Sequence, residues 1–212
     1  MSKKQDRIDI TKKIKTAAML YKQNLVGKRF MYVFDGRYIE VIYKAENFRH
    51  LTGVDTNLSA KRFYKYAVKG QLAASQIWFS PQHPFSLCTR KVKHIGDVAT
   101  MAGSECFMLE EIKTNTTTYK FGTTDLEFSL CLNMERDSNG DEKGDCFVVQ
   151  SLRDEDCFSK SNEAYVVTHI FSRQNDGKEY TEVLFIDDSS SIESLPEEIK
   201  SKISGDLLHI SK

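Results

Sequence analysis

The sequence predicts an α+β fold: N-terminal helices with a β-hairpin, packed on a C-terminal antiparallel sheet. Three observations carry this. Apolar residues recur at helical spacing near the N-terminus, Asp35-Gly36 separates two aromatic and β-branched runs, and from Cys106 onward the apolar period changes to two. Across 212 residues, 40% are hydrophobic and 11% aromatic, enough to bury the core of one domain rather than leave a disordered chain.

Ile10, Ile14, Ala17, Ala18, Tyr21 and Leu25 form one stripe, which predicts an amphipathic helix over 9–25 with Thr11 near its start and Gly27 at its end. Arg29–Phe34 and Arg37–Tyr43 flank Asp35-Gly36, residues that tolerate the positive φ of a type I′ turn, so a hairpin follows. The stretch 46–57 reads as polar and irregular. Ser59 reads as the N-cap of a second helix carrying Phe63, Tyr66 and Ala67 and closed by Gly70. Leu72 to Phe79 is expected to add a helical turn, Pro81 and Pro84 to bracket a loop, and Leu87 to Ala102 to form a further helix ended by Gly103. Short strands are then expected over 106–112, 116–121, 126–132, 146–152, 165–171 and 181–186, an antiparallel meander. Pro196 is suited to open a last short helix. The expected organisation is a single domain over 1–187 and an acidic C-terminal tail over 188–212.

Lys+Arg and Asp+Glu number 30 each, so bulk charge alone does not hold this chain on nucleic acid and any such contact needs a local patch. The charge is segregated: basic through Lys93, acidic from Asp137 to Asp156 and after Asp187. Solvated faces explain this, as does a basic anion-binding face offset by acidic loops. Five cysteines without a CxxC pair, no apolar leader in 1–15 and no window of ~18 apolar residues lead to the expectation of a reducing, cytoplasmic setting without membrane contact.

Several chemistries find no support. Asp137-Ser-Asn139-Gly-Asp141 has a calcium-loop flavour, but its sixth position is Glu142 and its twelfth Val148, so a hairpin loop is expected. Cys146, Cys157 and His169 lack paired close zinc ligands, and no phosphate-binding glycine loop, nucleophile elbow or His-Glu-x-x-His occurs. No metal or cofactor is therefore expected. Phe48-Arg49-His50-Leu51-Thr52-Gly53 is the segment richest in chemistry: a loop imidazole can serve as general acid or base near neutrality, and the adjacent Arg49 can hold a phosphate. A structural histidine bonded to the loop backbone fits the same residues. His169, on a strand beside Val167 and Phe171, is expected to share their face, either packed or as a second proton-transfer group.

Tyr21-Lys-Gln-Asn-Leu25, Tyr38-Ile-Glu-Val41, Phe48–Gly53, Ser59-Ala-Lys-Arg-Phe-Tyr64 and Gly70-Gln-Leu72, in that order before a strand-rich half, resemble a fourth family of phage Barnase/EndoU/colicin/RelE-like nuclease domains. The resemblance runs from about Ile8 to Phe185. It implies N-terminal helices on a four-stranded antiparallel sheet and an RNase that works without metal and leaves cyclic phosphate ends. It implies a toxin-like part in phage–host conflict, RNA as partner, and a host or inhibitor protein as another. Carried to this sequence, it points to His50 with Thr52 and Gly53, then to Arg62, Tyr64 and Lys65 as phosphate-binding groups on the following helix. Tyr119, Lys120 and His169 are nominated on the sheet from their chemistry alone. The sheet would then floor a cleft with the second helix as its cationic wall. A different class of function, a non-catalytic phage or mobile-element module binding a host protein or RNA, would use the 137–145 loop and the aromatic hairpin as its contact surface.

Overall fold

A computed structural model of the protein describes residues 3–101, 104–137 and 139–208. Helix α1 (Lys3–Asn24) buries the whole predicted stripe: Ile10, Ile14, Ala17, Ala18, Tyr21 and, just beyond the helix end, Leu25 are each no more than 3% exposed. Strands β1 (Lys28–Phe34) and β2 (Arg37–Ile42) form the hairpin, with Asp35 and Gly36 at φ 49° and 67° in the turn. Ser59 caps α3 (Ala60–Lys69) by accepting the Arg62 N–H at 3.4 Å, and Gly70, at φ 66°, ends it in the left-handed region.

The segment expected to be irregular contains a 3₁₀ turn over Ala45–Asn47, a five-residue helix α2 (Phe48–Thr52) and a short strand β3 (Asp55–Thr56). Where a helical turn was expected before Phe79, a 3₁₀ turn over Ala74–Gln76 leads into strand β4 (Ile77–Trp78), which pairs with β3. Helix α4 (Phe85–Met101) packs against α1; its expected stop, Gly103, lies outside the described residues. The second half supplies β5 (Phe107–Lys113), β6 (Thr118–Thr124), β7 (Ser129–Arg136), β8 (Glu142–Arg153), β9 (Glu163–Gln174) and β10 (Glu182–Ile186).

These strands do not form an open C-terminal sheet with the hairpin apart. The hairpin is built into the sheet, and the sheet closes. The order runs β1-β2-β8-β7-β6-β5-β9, and β9 pairs back onto β1, so seven strands make a closed barrel with β10 added to β9. All pairings are antiparallel except β2 with β8, where Val41 lies against Phe147 and Ile42 against Val148. The twelve residues of β9 permit the closure, its first part pairing with β5 and its remainder with β1. A closed barrel leaves fewer open strand edges than a sheet of the same length.

The hairpin aromatics, expected at a contact surface, are the core instead. Phe34 meets Phe121 of β6 at 5.9 Å between ring centroids and Tyr165 of β9 at 5.7 Å, and Phe30 meets Tyr43 at 5.3 Å. This core is continuous with the helical one, joining Tyr21, Phe48, Phe63 and Ile95 to Tyr32, Leu130 and Val149. A second core lies where Met31, Val33 and Phe171 meet Tyr180, Ile192, Leu195, Ile199, Ile203 and Leu207; α5 (Glu197–Lys200), the helix after Pro196, belongs to this layer. A third joins Leu109, Ile112, Tyr119, Cys131 and Cys157.

Candidate active site

In five residues of α2, Phe48, Leu51 and Thr52 turn inward and are buried, which leaves Arg49 half-buried and His50 exposed. Asn47 ties the start of the helix to the barrel, its Nδ2 donating to the Val149 carbonyl of β8 at 2.7 Å. At its end the Thr52 hydroxyl donates to the Arg49 carbonyl at 2.7 Å and accepts the Val54 N–H at 3.4 Å. Thr52 is therefore a buried, satisfied helix-end group that holds its neighbours, not a hydroxyl open to substrate. Gly53 follows at φ 70°, and a Cβ there would meet the Lys91 side chain at 3.0 Å, so α4 docks closely beneath it. Cys88 of α4 donates its thiol to the Gly53 carbonyl at 3.3 Å.

Arg49, His50, Gly53, Val54, Asp55, Thr56 and His83 line an open cleft of about 260 Å³. His83 was not singled out from the sequence. It sits in the loop between Pro81 and Pro84, in a turn closed by Ser80 N–H to His83 carbonyl (3.2 Å) and His83 N–H to Ser80 carbonyl (3.1 Å). Its Nδ1 lies 2.8 Å from Asp55 Oδ1 across the β3–β4 ladder. When the carboxylate accepts the Nδ1 proton, Nε2 is left for a bound group. Burial alone would raise the Asp55 carboxyl, but hydrogen bonds from Ser80 and His83 bring it below its usual range.

His50 is biased toward its neutral form. Partial burial, and then the positive charge of Arg49, push it below its ordinary 6.5. Arg49 Nη2 lies 3.4 Å from His50 Nε2, while Nη1 donates to the Leu58 carbonyl at 3.0 Å, which fixes the guanidinium. The cleft thus holds one imidazole biased toward its neutral form, one anchored by a carboxylate, and a fixed cation. A second His–Asp pair has none of this access: His94 is 6% exposed, stacks on Phe128 at 4.6 Å, and meets Asp154 at 3.0 Å, where Arg90 also bonds.

The other nominated residues do not line the cleft. On α3, Arg62 donates Nε to the Tyr66 hydroxyl at 2.9 Å and Lys65 is exposed. Tyr64 packs its ring on Phe48 at 5.4 Å, and burial pushes its phenol to about 12. On the barrel, Tyr119 is buried in the third core and Lys120 is exposed with its ammonium 5.7 Å from the Phe147 ring. His169 is 1% exposed and stacks on Phe171 at 5.8 Å. Its expected alternation breaks at a bulge: Val33 faces His169 but Phe34 faces Val167, which leaves Thr168 as the extra residue. Val167 consequently joins the main core while Phe171 joins the second. The cleft is built from α2, β3 and the Ser80–His83 turn, not from the sheet and α3.

Two of the basic runs meet elsewhere. Lys12 and Lys13 of α1 and Arg90 and Lys93 of α4 rim a groove of about 510 Å³ floored by Ala17, Leu20 and Val92. The one grouping of three metal-ligand side chains among the described residues is Glu40, Asp145 and Cys146, with ligand atoms within 4.8 Å of one another. Arg29 already serves as their cation, at 2.9 Å from Glu40 and 3.3 Å from Asp145.

A family model described as phage-Barnase-EndoU-ColicinE5/D-RelE like nuclease 4 matches residues 13–188. The chain belongs to this nuclease family. The matched span runs from within α1 to just past β10 and so takes in the α2 cleft and the whole barrel. No curated protein and no solved structure matches the chain. Membership of this nuclease family indicates a nucleic-acid substrate. No helix among the described residues is long and apolar enough to cross a membrane.

Proposed function

We propose that this family member is a metal-independent endoribonuclease whose reacting groups are His50 and His83. The observation that carries the reading is the convergence of two imidazoles and one arginine on a single open cleft. His50, biased toward the neutral form, takes the proton of the ribose 2′-hydroxyl. The 2′-oxygen attacks the adjacent phosphorus, Arg49 offsets the charge that builds on the non-bridging oxygens, and His83 gives a proton to the departing 5′-oxygen. The products are a 2′,3′-cyclic phosphate and a free 5′-hydroxyl, with one proton taken up and one released. Asp55 positions His83, and Thr52 and Gly53 position His50. The Lys12–Lys93 groove gives a neutral chain the local basic patch that RNA requires. A toxin-like role against host RNA would follow from such an activity in a phage nuclease family.

The direct test is incubation of the purified protein with total bacterial RNA in the presence of EDTA. Cleavage leaving cyclic phosphate and 5′-hydroxyl ends is expected. Products bearing 3′-hydroxyl and 5′-phosphate ends would mean that water, not the 2′-hydroxyl, is the nucleophile, and would overturn the assignment.

The pH dependence follows from His50. A base must be neutral to act, and this imidazole titrates below 6.5, so kcat/KM is expected to hold as pH falls through 6.5 and to decline only below it. Arg49→Gln removes the second cause of the shift, so the acid limb should move upward even though the overall rate falls. The same depression contributes to stability with a definite sign: the contribution is complete above about pH 6.5 and is lost as pH falls, because the unfolded chain takes up the proton first. An acid limb that stays put in Arg49→Gln would show that another group sets it.

A further inference from the structure

We infer that Trp78 is the platform of a nucleobase subsite beside the cleft, so that the substrate is RNA with an unpaired base next to the reacting phosphate. The inference rests on the ribonuclease reading for the identity of the ligand, but its geometry is independent of it. Trp78 is the only tryptophan of the chain and is 41% exposed. Among the described residues its indole has no ring partner and no side-chain hydrogen bond. Among the described residues the other exposed large apolar side chains, Met19, Leu126 and Val166, are aliphatic, and none lies on α2 or on the β3–β4 ladder.

Strand register puts this indole at the site. Trp78 on β4 lies directly opposite Asp55 on β3 in an antiparallel pair. Side chains of directly opposed residues stand on the same face with their Cβ atoms roughly 5 Å apart. Asp55 is the carboxylate that anchors His83, so the indole shares a face of the ladder with the group that holds the proposed general acid. The next residue fixes its direction. Phe79 packs on the main core and meets Phe85 edge-on at 5.3 Å. Successive side chains of an extended chain point to opposite sides, so anchoring Phe79 inward sends Trp78 outward. Ile77, on the other flank, is fully buried. An aromatic face on a paired strand, open to solvent and next to the proposed reacting groups, is the kind of element on which proteins stack unpaired bases.

A duplex cannot use such a platform without unstacking, whereas a loop or single strand offers its base at little cost. Stacking that is equal in ground and transition states lowers KM and leaves kcat unchanged. Trp78→Ala should therefore raise KM for single-stranded RNA on the order of 10- to 100-fold with kcat retained, and Trp78→Phe should recover most of the loss.

The sole tryptophan also reports binding directly. Wild-type protein would be titrated with a 2′-O-methyl oligonucleotide, which cannot be cleaved through its 2′-oxygen, and indole fluorescence followed. The expected result is saturable quenching by the single strand, at least tenfold weaker binding by the same sequence with an abasic position, and little quenching by the duplex. Trp78→Ala, checked for an unchanged melting temperature, should lose at least tenfold in affinity when binding is followed by anisotropy of a labelled strand. Equal affinity of wild type and Trp78→Ala for the single strand overturns the subsite. Saturable, base-dependent quenching by a protein that cleaves no RNA supports the subsite and removes the ribonuclease reading alone. Cleavage that is undisturbed in Trp78→Ala removes the subsite alone.

Discussion

His50→Gln and His83→Gln are each expected to lower the single-turnover rate of RNA cleavage by about 10²- to 10⁴-fold, the usual contribution of a positioned acid or base. The double variant should lose little more than either single one, because an acid and a base acting on one phosphate form a unit. Glutamine keeps a polar, hydrogen-bonding side chain in place, and both residues reach solvent, so the melting temperature should move by less than that of a core substitution. His50 is exposed on α2, and the His83 side chain is 42% exposed beside Asp55. The two singles are separable by substrate chemistry. An RNA whose 5′-oxygen leaving group is replaced by a better one needs no general acid, so it should restore much of the rate to His83→Gln and none to His50→Gln. Asp55→Asn should give a smaller loss, because it leaves the imidazole in place and removes only what holds its tautomer. Full activity in His83→Gln would leave His50 without its proposed partner and would dismiss the two-imidazole cleft.

Much of the fold was legible because it follows from local pattern. The α1 stripe, the Asp35-Gly36 turn, the Ser59 cap, the Gly70 stop and all six later strands depend on residues within a few positions of one another. Closure of the barrel does not. Alternation of two is the same in an open sheet and in a barrel. What decides between them here is β9 pairing with both β5 and β1, and β2 pairing in parallel with β8 from more than a hundred residues away. Helix α2 was hidden for another reason: five residues are too few to display a period, and it is held by Asn47, Phe48 and Thr52 bonding and packing on distant elements. The site divides the same way. His50 and Arg49 were readable from one short segment. His83 becomes interesting only when a ladder brings Asp55 to it across 28 positions. The nearest sequence signal was a histidine fixed between two prolines. His169 looked equally promising, but a bulge and the second core place it under Phe171 and the C-terminal layer.

The largest expected loss of stability comes from Glu40→Ala, far from the proposed chemistry. Glu40 is on β2 and is 8% exposed, yet it carries three contacts from three other parts of the chain. It accepts from Arg29 of β1 at 2.9 Å and from the Tyr180 hydroxyl at 2.9 Å, and it lies 3.7 Å from the Cys146 sulfur of β8. Tyr180 belongs to the second core and bonds backbone to backbone with Lys202 and Ser204. One carboxylate therefore links the hairpin, the parallel β2–β8 seam and the C-terminal layer. Burial and the carboxylate together hold the Tyr180 phenol protonated far above its usual range, so it serves as a donor at every working pH. Removing Glu40 leaves Arg29 with only the exposed Asp145 and leaves the buried Tyr180 hydroxyl without its acceptor. Breaking one side of such a pair costs about 3–5 kcal/mol. For a chain of this size that corresponds to a melting temperature lower by roughly 6–20 °C. Tyr180→Phe, which removes one hydrogen bond and leaves the ion pair, should cost only about 1 kcal/mol. Urea denaturation of the three proteins reads the difference. A cost for Glu40→Ala no greater than that of Tyr180→Phe would mean that Arg29 is satisfied by Asp145 and water, and that the parallel seam is held by its backbone and apolar contacts alone.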